Sequence, residues 1–170
     1  MLRAATDDDK DLALKWRNHP VVRAVSLQQQ PISEDEHTQY WDSLKNNRHR
    51  KVYIYELADT PAGVVTFFDI DDGYAMWGYY LDNDGLEARG QLLPAWIKIQ
   101  REAVKLAFGP TDQGGLALEV LEGEVLEANE AVRSMNKRNG FEEVGVEDVE
   151  IDGLVTVVHR IRRTVQPGDR

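Results

Sequence analysis

Cysteine is absent from this chain of 170 residues, which excludes disulfide bonds, thiolate metal sites and a cysteine nucleophile. Long apolar runs are absent as well, since none approaches the roughly 18 residues that a helix needs to span a bilayer. The first ten residues, MLRAATDDDK, lack the apolar segment of a signal peptide. Together these absences predict a cytoplasmic protein with no membrane partner.

Positive charge is scarce. The chain has 20 Lys and Arg against 30 Asp and Glu, which gives a formal net charge of -10. Proteins that bind nucleic acids or anionic membranes without specificity need clustered basic residues. No nucleic-acid partner is therefore expected, although a local basic pocket stays open.

Several common catalytic patterns are also missing. The four histidines, His19, His37, His49 and His159, form no His-Glu-x-x-His pattern, so no metal site is predicted. Neither a G-x-S-x-G elbow nor a G-x-x-x-x-G-K-[ST] loop occurs. Most of the abundant carboxylates are expected in solvated turns and helix caps rather than in acid/base pairs.

The composition is that of an ordinary globular domain. Hydrophobic residues make up 42% and charged residues 29% of the chain. Its length suits one domain, which we expect over residues 1–163. The remaining tail, residues 164–170, is predicted to be disordered.

Alternating patterns predict the element order βααβββαβαββ. Ser33-x-x-Glu36 is a capping box that opens the second helix. Thr60 to Gly63, Asp71-Asp72-Gly73 and Asp152-Gly153 are predicted as hairpin turns. The expected fold is α/β (α+β), a mixed and mostly antiparallel sheet with about four helices.

One pairing of segments stands out. Arg89-Gly90 follows the strand-like YAMWGYYLD and precedes a long amphipathic helix, and some forty residues later comes NEAVRSMNKRNGF. In order and spacing these segments resemble the GNAT acyltransferase superfamily, over about residues 2–162. The resemblance implies the GNAT fold with splayed central strands, and N-acyltransferase activity with acetyl-CoA as co-substrate.

A finer resemblance rests on WRNHPVVRAVS, PISEDEHTQYWDSL, FFDID and MWGYYLD. These stretches are similar to N-acetyltransferases that act on amino-deoxy sugars of UDP-linked nucleotides, as in pseudaminic-acid synthesis. They are also similar to the related acetyltransferases of ribosomal-protein N-termini. The resemblance implies a small-molecule amine acceptor, preferably an aminosugar, and allows a homodimer.

The superfamily resemblance also implies where acetyl-CoA binds. The pantetheine arm would lie between the splayed strands, and backbone amides at a helix start would face the pyrophosphate. An amide near Tyr80 or Leu81 would stabilise the oxyanion. The implied donor residues are Tyr79, Tyr80, Leu81, Asp82, Arg89, Gly90, Gln91, Leu92 and Asn129. A plain helix N-cap is an equal explanation of Asn129.

The sequence departs from the family pattern at two places. Leu92 and Pro94 occupy loop positions where small residues are expected, and Pro94 has no N–H to offer a phosphate. Asn136 stands where many members have a tyrosine that protonates the leaving thiolate. The phosphate loop is therefore expected to be weakened, and Asn136 is expected to orient rather than to donate a proton.

The acceptor is expected near Trp16, Arg17, Asn18 and Trp77, because aromatic faces suit a sugar ring. Arg17 or Arg23 could bind a nucleotide diphosphate. A core position for Trp16 and a solvated end charge for Arg17 are the plainer alternatives.

No general base is evident. Glu119, on a buried-type strand, and Asp69, at a strand end, are the preferred carboxylates, since burial would raise a carboxyl pKa. Two other functions remain open. In the first, the altered loop would let the enzyme accept an acyl group from a carrier protein or an aminoacyl-tRNA, although the net negative charge of the chain disfavours tRNA. Alternatively, the chain could be a GNAT-like binding domain without catalysis.

Overall fold

The computed structural model describes residues 1–170, which form a seven-stranded sheet with six α-helices. The strands are β1 (Leu2–Ala4), β2 (Lys51–Leu57), β3 (Thr60–Asp71), β4 (Tyr74–Leu81), β5 (Val120–Leu126), β6 (Glu142–Ile151) and β7 (Leu154–Thr164). The helices are α1 (Lys10–Arg17), α2 (Pro20–Ala24), α3 (Glu34–Ser43), α4 (Asn83–Ala88), α5 (Leu92–Phe108) and α6 (Glu130–Arg138).

The sheet order is β1-β2-β3-β4-β5-β7-β6, and every neighbouring pair is antiparallel except β4 and β5. A parallel pair needs a crossover, which α5 provides between these two strands. The predicted mixed, mostly antiparallel sheet is confirmed.

Hydrophobic layers cover both faces of the sheet. On one face α5 buries Ala95, Ile99 and Ala103 in the main core. On the other face Ala13 and Trp16 of α1 and Trp41 of α3 pack on Ile54 and Val64 in a second cluster. Side chains alternate between the two faces along the strands, so Val65 of β3 lies in the main core and its neighbour Val64 lies in the second cluster.

The helix count exceeds the expectation because α2 and α4 were not predicted. Pro20 opens α2, and the preceding His19 caps it by accepting a hydrogen bond from the Val21 N–H. Asp82 caps α4 by accepting from the Gly85 N–H at 3.0 Å. Both helices span fewer than two turns, which is too short for an apolar periodicity to mark them.

The turn between β2 and β3 lies earlier in the chain than the sequence predicts. The β2–β3 turn is Ala58-Asp59, both with positive φ, so Thr60 to Gly63 belong to β3 instead of to a turn. Residues 164–170, predicted as disordered, receive contacts that the sequence did not indicate. Asp169 accepts two hydrogen bonds from Arg163, at 3.0 and 3.1 Å, and Arg170 pairs with Glu119 at 2.8 Å.

Candidate active site

The central strands separate after a short ladder. β4 and β5 pair only at Tyr74–Met76 with Val120–Glu122, although both strands continue in the same direction. Residues 77–81 and 123–126 therefore face each other without hydrogen bonds. The gap leaves backbone N–H and C=O groups available to a ligand that lies between the strands.

A cavity of about 980 Å³ opens at this gap and reaches both faces of the sheet. On the α5–α6 face its wall includes Tyr79, Trp96 and Asn136. On the opposite face it runs beneath α2 and α3, where Tyr80 and Trp41 contribute to the wall. One continuous space can thus hold two reactants that approach from opposite faces.

The loop before α5 is less open than expected for a phosphate cradle. The Gly90 N–H donates to the Glu87 carbonyl at 3.0 Å, and the Gln91 N–H donates to Leu86 at 2.8 Å. Pro94 offers no N–H. The amides of Leu92 and Leu93 are the ones left without an intrahelical acceptor at the start of α5. The amides of Gly90 and Gln91 are therefore already bonded within the chain, which agrees with the expected weakening of the phosphate loop.

The other predicted donor residues divide into two groups. Tyr79, Tyr80, Leu81 and Asn129 line the cavity, and the Asn129 side chain makes no cap hydrogen bond although it precedes α6. The residues Asp82, Arg89, Gly90, Gln91 and Leu92 do not line it. Arg89 is exposed and donates only to Gln91, at 3.3 Å, so its guanidinium is available to solvent and to ligands.

A polar network lies between β4, α5 and α6. Gln100, fully buried, donates from Nε2 to Asn136 Oδ1 at 2.7 Å and to the Tyr79 hydroxyl at 3.3 Å. Asn139 completes it by donating to Gln100 Oε1. Burial raises the pKa of Tyr79 to about 12, against the opposing hydrogen bonds from Gln100 and Trp96. The Tyr79 O–H and the Asn136 amide N–H therefore remain as neutral donors at the cavity wall.

Three acceptor-side predictions need correction. Trp16 is 4% exposed and belongs to the second core cluster rather than to the cavity. Asn18 fixes the Ile32 backbone through two 2.8 Å hydrogen bonds and does not line the cavity. Trp77 touches the cavity but lies on the α5–α6 face, stacked between Tyr79 and Phe141. Odd-numbered positions of β4 point away from α1–α3.

Arg17 does line the acceptor side of the cavity. Its Nη2 donates to the Gln28 carbonyl at 2.9 Å, whereas its buried Nη1 has no partner. Burial lowers the pKa of Arg17, and the nearby Arg23 lowers it further. Arg17 is thus a half-buried cation without a carboxylate.

The two predicted bases lie outside the cavity. Asp69 is exposed on β3, and Glu119 is exposed before β5 and paired with Arg170. Both lie near the end of the sheet where β4 and β5 still pair. The prediction failed because a strand sequence does not say which of its ends opens into the site.

The cavity instead contains three other ionisable groups that sequence reasoning missed as base candidates. Glu36 accepts from the Ser33 N–H of its capping box, and Glu124 pairs with Arg160 at 3.7 Å. His37 donates from Nε2 to the Lys10 carbonyl at 2.7 Å, since a carbonyl can only accept. In the neutral imidazole Nδ1 is then the acceptor nitrogen, and it has no hydrogen-bond partner in the chain. The sequence contains one indication of this placement. His37 lies one helical turn before Trp41, so both side chains lie on the same buried face of α3.

A family model described as "Acetyltransferase (GNAT) domain" matches residues 1–142. The chain belongs to the GNAT acetyltransferase family. Members of this family are enzymes that use acetyl-CoA, so the GNAT chain is an acyl-CoA-dependent N-acetyltransferase. No curated protein matches its sequence.

Solved structures share the GNAT fold with this chain. Spermidine N-acetyltransferase from Vibrio cholerae, in complex with CoA and spermine, has a TM-score of 0.80 at 17% identity, covering 96% of this chain and 94% of that one. An N-acetyltransferase from Staphylococcus aureus Mu50 has a TM-score of 0.70 at 16% identity and 98% coverage of both. A candidate phosphinothricin N-acetyltransferase has 0.76 at 17%, again covering 98% of each chain.

Two general features accompany the GNAT fold in this chain. None of its helices combines the length and the apolarity that crossing a bilayer requires. No three His, Asp or Glu side chains are grouped so that they could hold a metal ion. Membership of the family establishes N-acetyl transfer as the reaction, and the residues of the cavity determine which amine is the acceptor.

Proposed function

We propose that this chain transfers an acetyl group from acetyl-CoA to the primary amine of a small polar acceptor, an aminosugar or a nucleotide-linked aminosugar. The observation that carries the proposal is the single cavity that passes the sheet at the gap between β4 and β5. A donor that lies between the strands and an acceptor that lies beneath α2 and α3 would meet in this cavity, with no protein atoms between them.

The donor side has groups that suit acetyl-CoA, which supplies an activated acyl thioester. The free edge of β4 at residues 77–81 offers amides and carbonyls to the pantetheine arm, and the unengaged side chain of Asn129 faces it across the gap. The Leu92 and Leu93 amides at the start of α5 suit a phosphate. Arg89 adds an exposed positive charge nearby.

The acceptor side supports a sugar ring. The aromatic residues Tyr40, Trp41 and Phe68 line this part of the wall, together with the hydroxyl-bearing Ser26 and Thr66. Aromatic faces pack on the apolar faces of sugar rings while the hydroxyls bond their edges. The aminosugar branch, a cytoplasmic location and a homodimer belong to the same proposal. The exposed Val146, Leu154 and Val155 on the β6–β7 hairpin support a dimer.

The reaction needs one proton removed and one supplied. The neutral acceptor amine attacks the acyl carbon, the nitrogen loses one proton and the C–S bond breaks, and the released CoA thiolate takes up a proton from water. We assign the removal of the nitrogen proton to His37 Nδ1, because His37 lines the acceptor side and its Nε2 is bonded to the Lys10 carbonyl. The Tyr79 hydroxyl and the Asn136 amide lie on the other face, where they would donate hydrogen bonds to the sulfur as negative charge develops.

Thiol release with acetyl-CoA tests the proposal directly. The acceptors are a UDP-linked aminosugar, the free aminosugar, spermidine and a peptide with a free N-terminus. We expect the highest kcat/KM with one of the two sugars. Acetylation of spermidine or the peptide alone would overturn the aminosugar assignment and leave the family intact.

A second donor is favoured by the restricted loop before α5. A carrier protein presents phosphopantetheine, which lacks the adenosine and two of the phosphates of CoA, so two free amides would serve it well. Calorimetry with CoA and phosphopantetheine side by side separates the donors. Equal affinity for the two ligands would favour the carrier protein, and failure to bind either would favour a domain without catalysis.

A further inference from the structure

Two arginines in the acceptor part of the cavity have no anionic partner. Arg17 leaves Nη1 buried and unsatisfied, and Arg50 lies over the rings of Tyr40 and Phe68, at 5.6 and 5.1 Å, without an ion pair. Six other arginines pair with carboxylates, namely Arg3, Arg133, Arg160, Arg162, Arg163 and Arg170. The remaining arginines either are exposed to solvent, as Arg48, Arg89, Arg101 and Arg138 are, or donate to two backbone carbonyls, as Arg23 does. With a net charge of -10, carboxylates are not in short supply.

The two carboxylates of the cavity, Glu36 and Glu124, pair with neither of these arginines. Glu36 accepts the Ser33 N–H, and Glu124 lies 3.7 Å from an Arg160 nitrogen. A polyamine would bring several ammonium groups beside Arg17 and Arg50, and neither arginine has an ion-paired carboxylate that would offset this repulsion. A buried guanidinium N–H without an acceptor costs free energy that an anionic ligand atom would recover.

We propose that the amine acceptor carries an anionic group, a carboxylate or a phosphate, which binds to Arg17 and Arg50. The inference rests on the proposed acetyl transfer and narrows its acceptor. Arg17 is held in place by its 2.9 Å bond to the Gln28 carbonyl, which aligns the fork before a ligand arrives. The lowered pKa of Arg17, caused by burial and by Arg23, agrees with a site of uncompensated positive charge.

Anion binding is measured by calorimetry with inorganic pyrophosphate and with glutarate, one for each source of the anionic group. We expect one of the two to bind wild type, and Arg17→Gln to weaken it about tenfold or more. Arg50→Gln, which removes no hydrogen bond within the chain, should weaken it as well and provides a second variant if Arg17→Gln unfolds. Tighter binding of pyrophosphate identifies a phosphate, and tighter binding of glutarate identifies a carboxylate.

Two control variants separate this site from other anion sites. Arg48→Gln makes the same charge change on an exposed residue outside the cavity and should leave binding unchanged. Arg89→Gln removes the donor-side charge, so binding that persists in this variant is not at the pyrophosphate loop. No binding of either anion at millimolar concentrations, or binding that Arg17→Gln and Arg50→Gln leave intact, would overturn the inference.

The outcome is independent of acetyl transfer itself. If CoA binds and spermidine is acetylated while neither anion binds, the anionic acceptor is wrong and the enzyme assignment stands. If the anions bind at Arg17 while CoA does not bind, the anionic site stands and the proposed donor fails.

Discussion

Gln100 Nε2 lies 2.7 Å from Asn136 Oδ1, and this hydrogen bond joins α5 to α6 within the protein interior. The bond fixes the orientation of the Asn136 amide, because its oxygen accepts from Gln100 and its nitrogen is left toward the cavity. The same Gln100 nitrogen reaches the Tyr79 hydroxyl. One buried amide therefore positions two donors on the donor side of the site.

Removing the Asn136 side chain should cost more in stability than in catalysis. Asn136→Ala leaves a Gln100 N–H buried without an acceptor, so we expect a loss of about 1–3 kcal/mol in the free energy of unfolding. Turnover should fall less than about tenfold, since water can protonate a thiolate. Urea unfolding and steady-state kinetics measure the two effects. Asn139→Ala, which breaks the network outside the cavity, should reduce stability alone; equal turnover losses in both variants would contradict the donor role.

Tyr79→Phe should lower kcat about 10- to 100-fold, because it removes a hydrogen bond to developing negative charge. With a pKa of about 12, the Tyr79 hydroxyl stays protonated over the usual pH range. Wild-type activity should therefore rise with pH as the amine deprotonates, and it should show no decrease at any pH up to about 11. Tyr74→Phe is the matched control, since Tyr74 also has a pKa of about 12 but bonds Glu122 away from the cavity. A falling limb near pH 9 in the wild type would reject this assignment.

His37→Gln should reduce kcat about a hundredfold or more, the usual scale for a lost general base. The glutamine can retain the hydrogen bond to the Lys10 carbonyl but cannot take up a proton. The residual rate should increase with pH as more acceptor amine is free. His49→Gln is the control, because His49 bonds the Ile70 carbonyl at 2.7 Å outside the cavity. Similar kcat losses in the two variants would point to packing instead of proton transfer.

Arg89→Ala should weaken CoA by about 1–3 kcal/mol, the range for a lost hydrogen bond to a charged group. Its guanidinium has no role in packing, so the melting temperature should stay the same. Calorimetry of wild type, Arg89→Ala and Arg101→Ala gives the comparison. Arg101 is an exposed arginine farther along α5 and should have no effect on CoA.

Acid should destabilise the fold through Asp9. Its pKa is lowered, chiefly by hydrogen bonds from Arg3 at 2.8 and 2.9 Å. A lowered folded pKa means that this stability is present above the ordinary value near 4 and is lost as pH falls through the folded value. Asp9→Asn should cost about 1–3 kcal/mol at pH 7 and flatten the pH dependence below pH 4. Asp8→Asn, on an exposed neighbour, should change neither in urea titrations across this range.

The sequence predicted those parts of the fold that depend on local patterns. The Ser33–Glu36 capping box starts α3 as expected, and Asp152-Gly153 forms the β6–β7 turn with positive φ at both residues. Alternating strands and the Arg89-Gly90 loop gave the family. Each of these signals lies within a few residues of the feature that it specifies.

The site depended on relationships that no local pattern contains. Gln100 and Asn136 are 36 positions apart, and nothing in either segment marks them as partners. Trp16 has an aromatic side chain of the kind that stacks on ligands. However, it lies on the face of α1 that packs into the core. Glu119 is predicted as a base because it lies on a buried-type strand. The end of that strand that opens into the cavity follows only from the β4–β5 register, which the sequence does not contain.

The short β4–β5 ladder also bears on how the domain opens. Only three residue pairs form the ladder between the β1–β4 half of the sheet and the β5–β7–β6 half, and two further bonds run from the Glu119 and Val120 N–H groups to the Gly73 carbonyl at its start. Amides of β5 near Gly123 should therefore exchange with deuterium sooner than those deep in β3. A ligand that bonds both strand edges would link the halves, so the slow-exchanging region should extend across the gap when the donor site is filled. The bound donor would therefore act as an additional strand that joins the two halves of the sheet, besides supplying the acyl group.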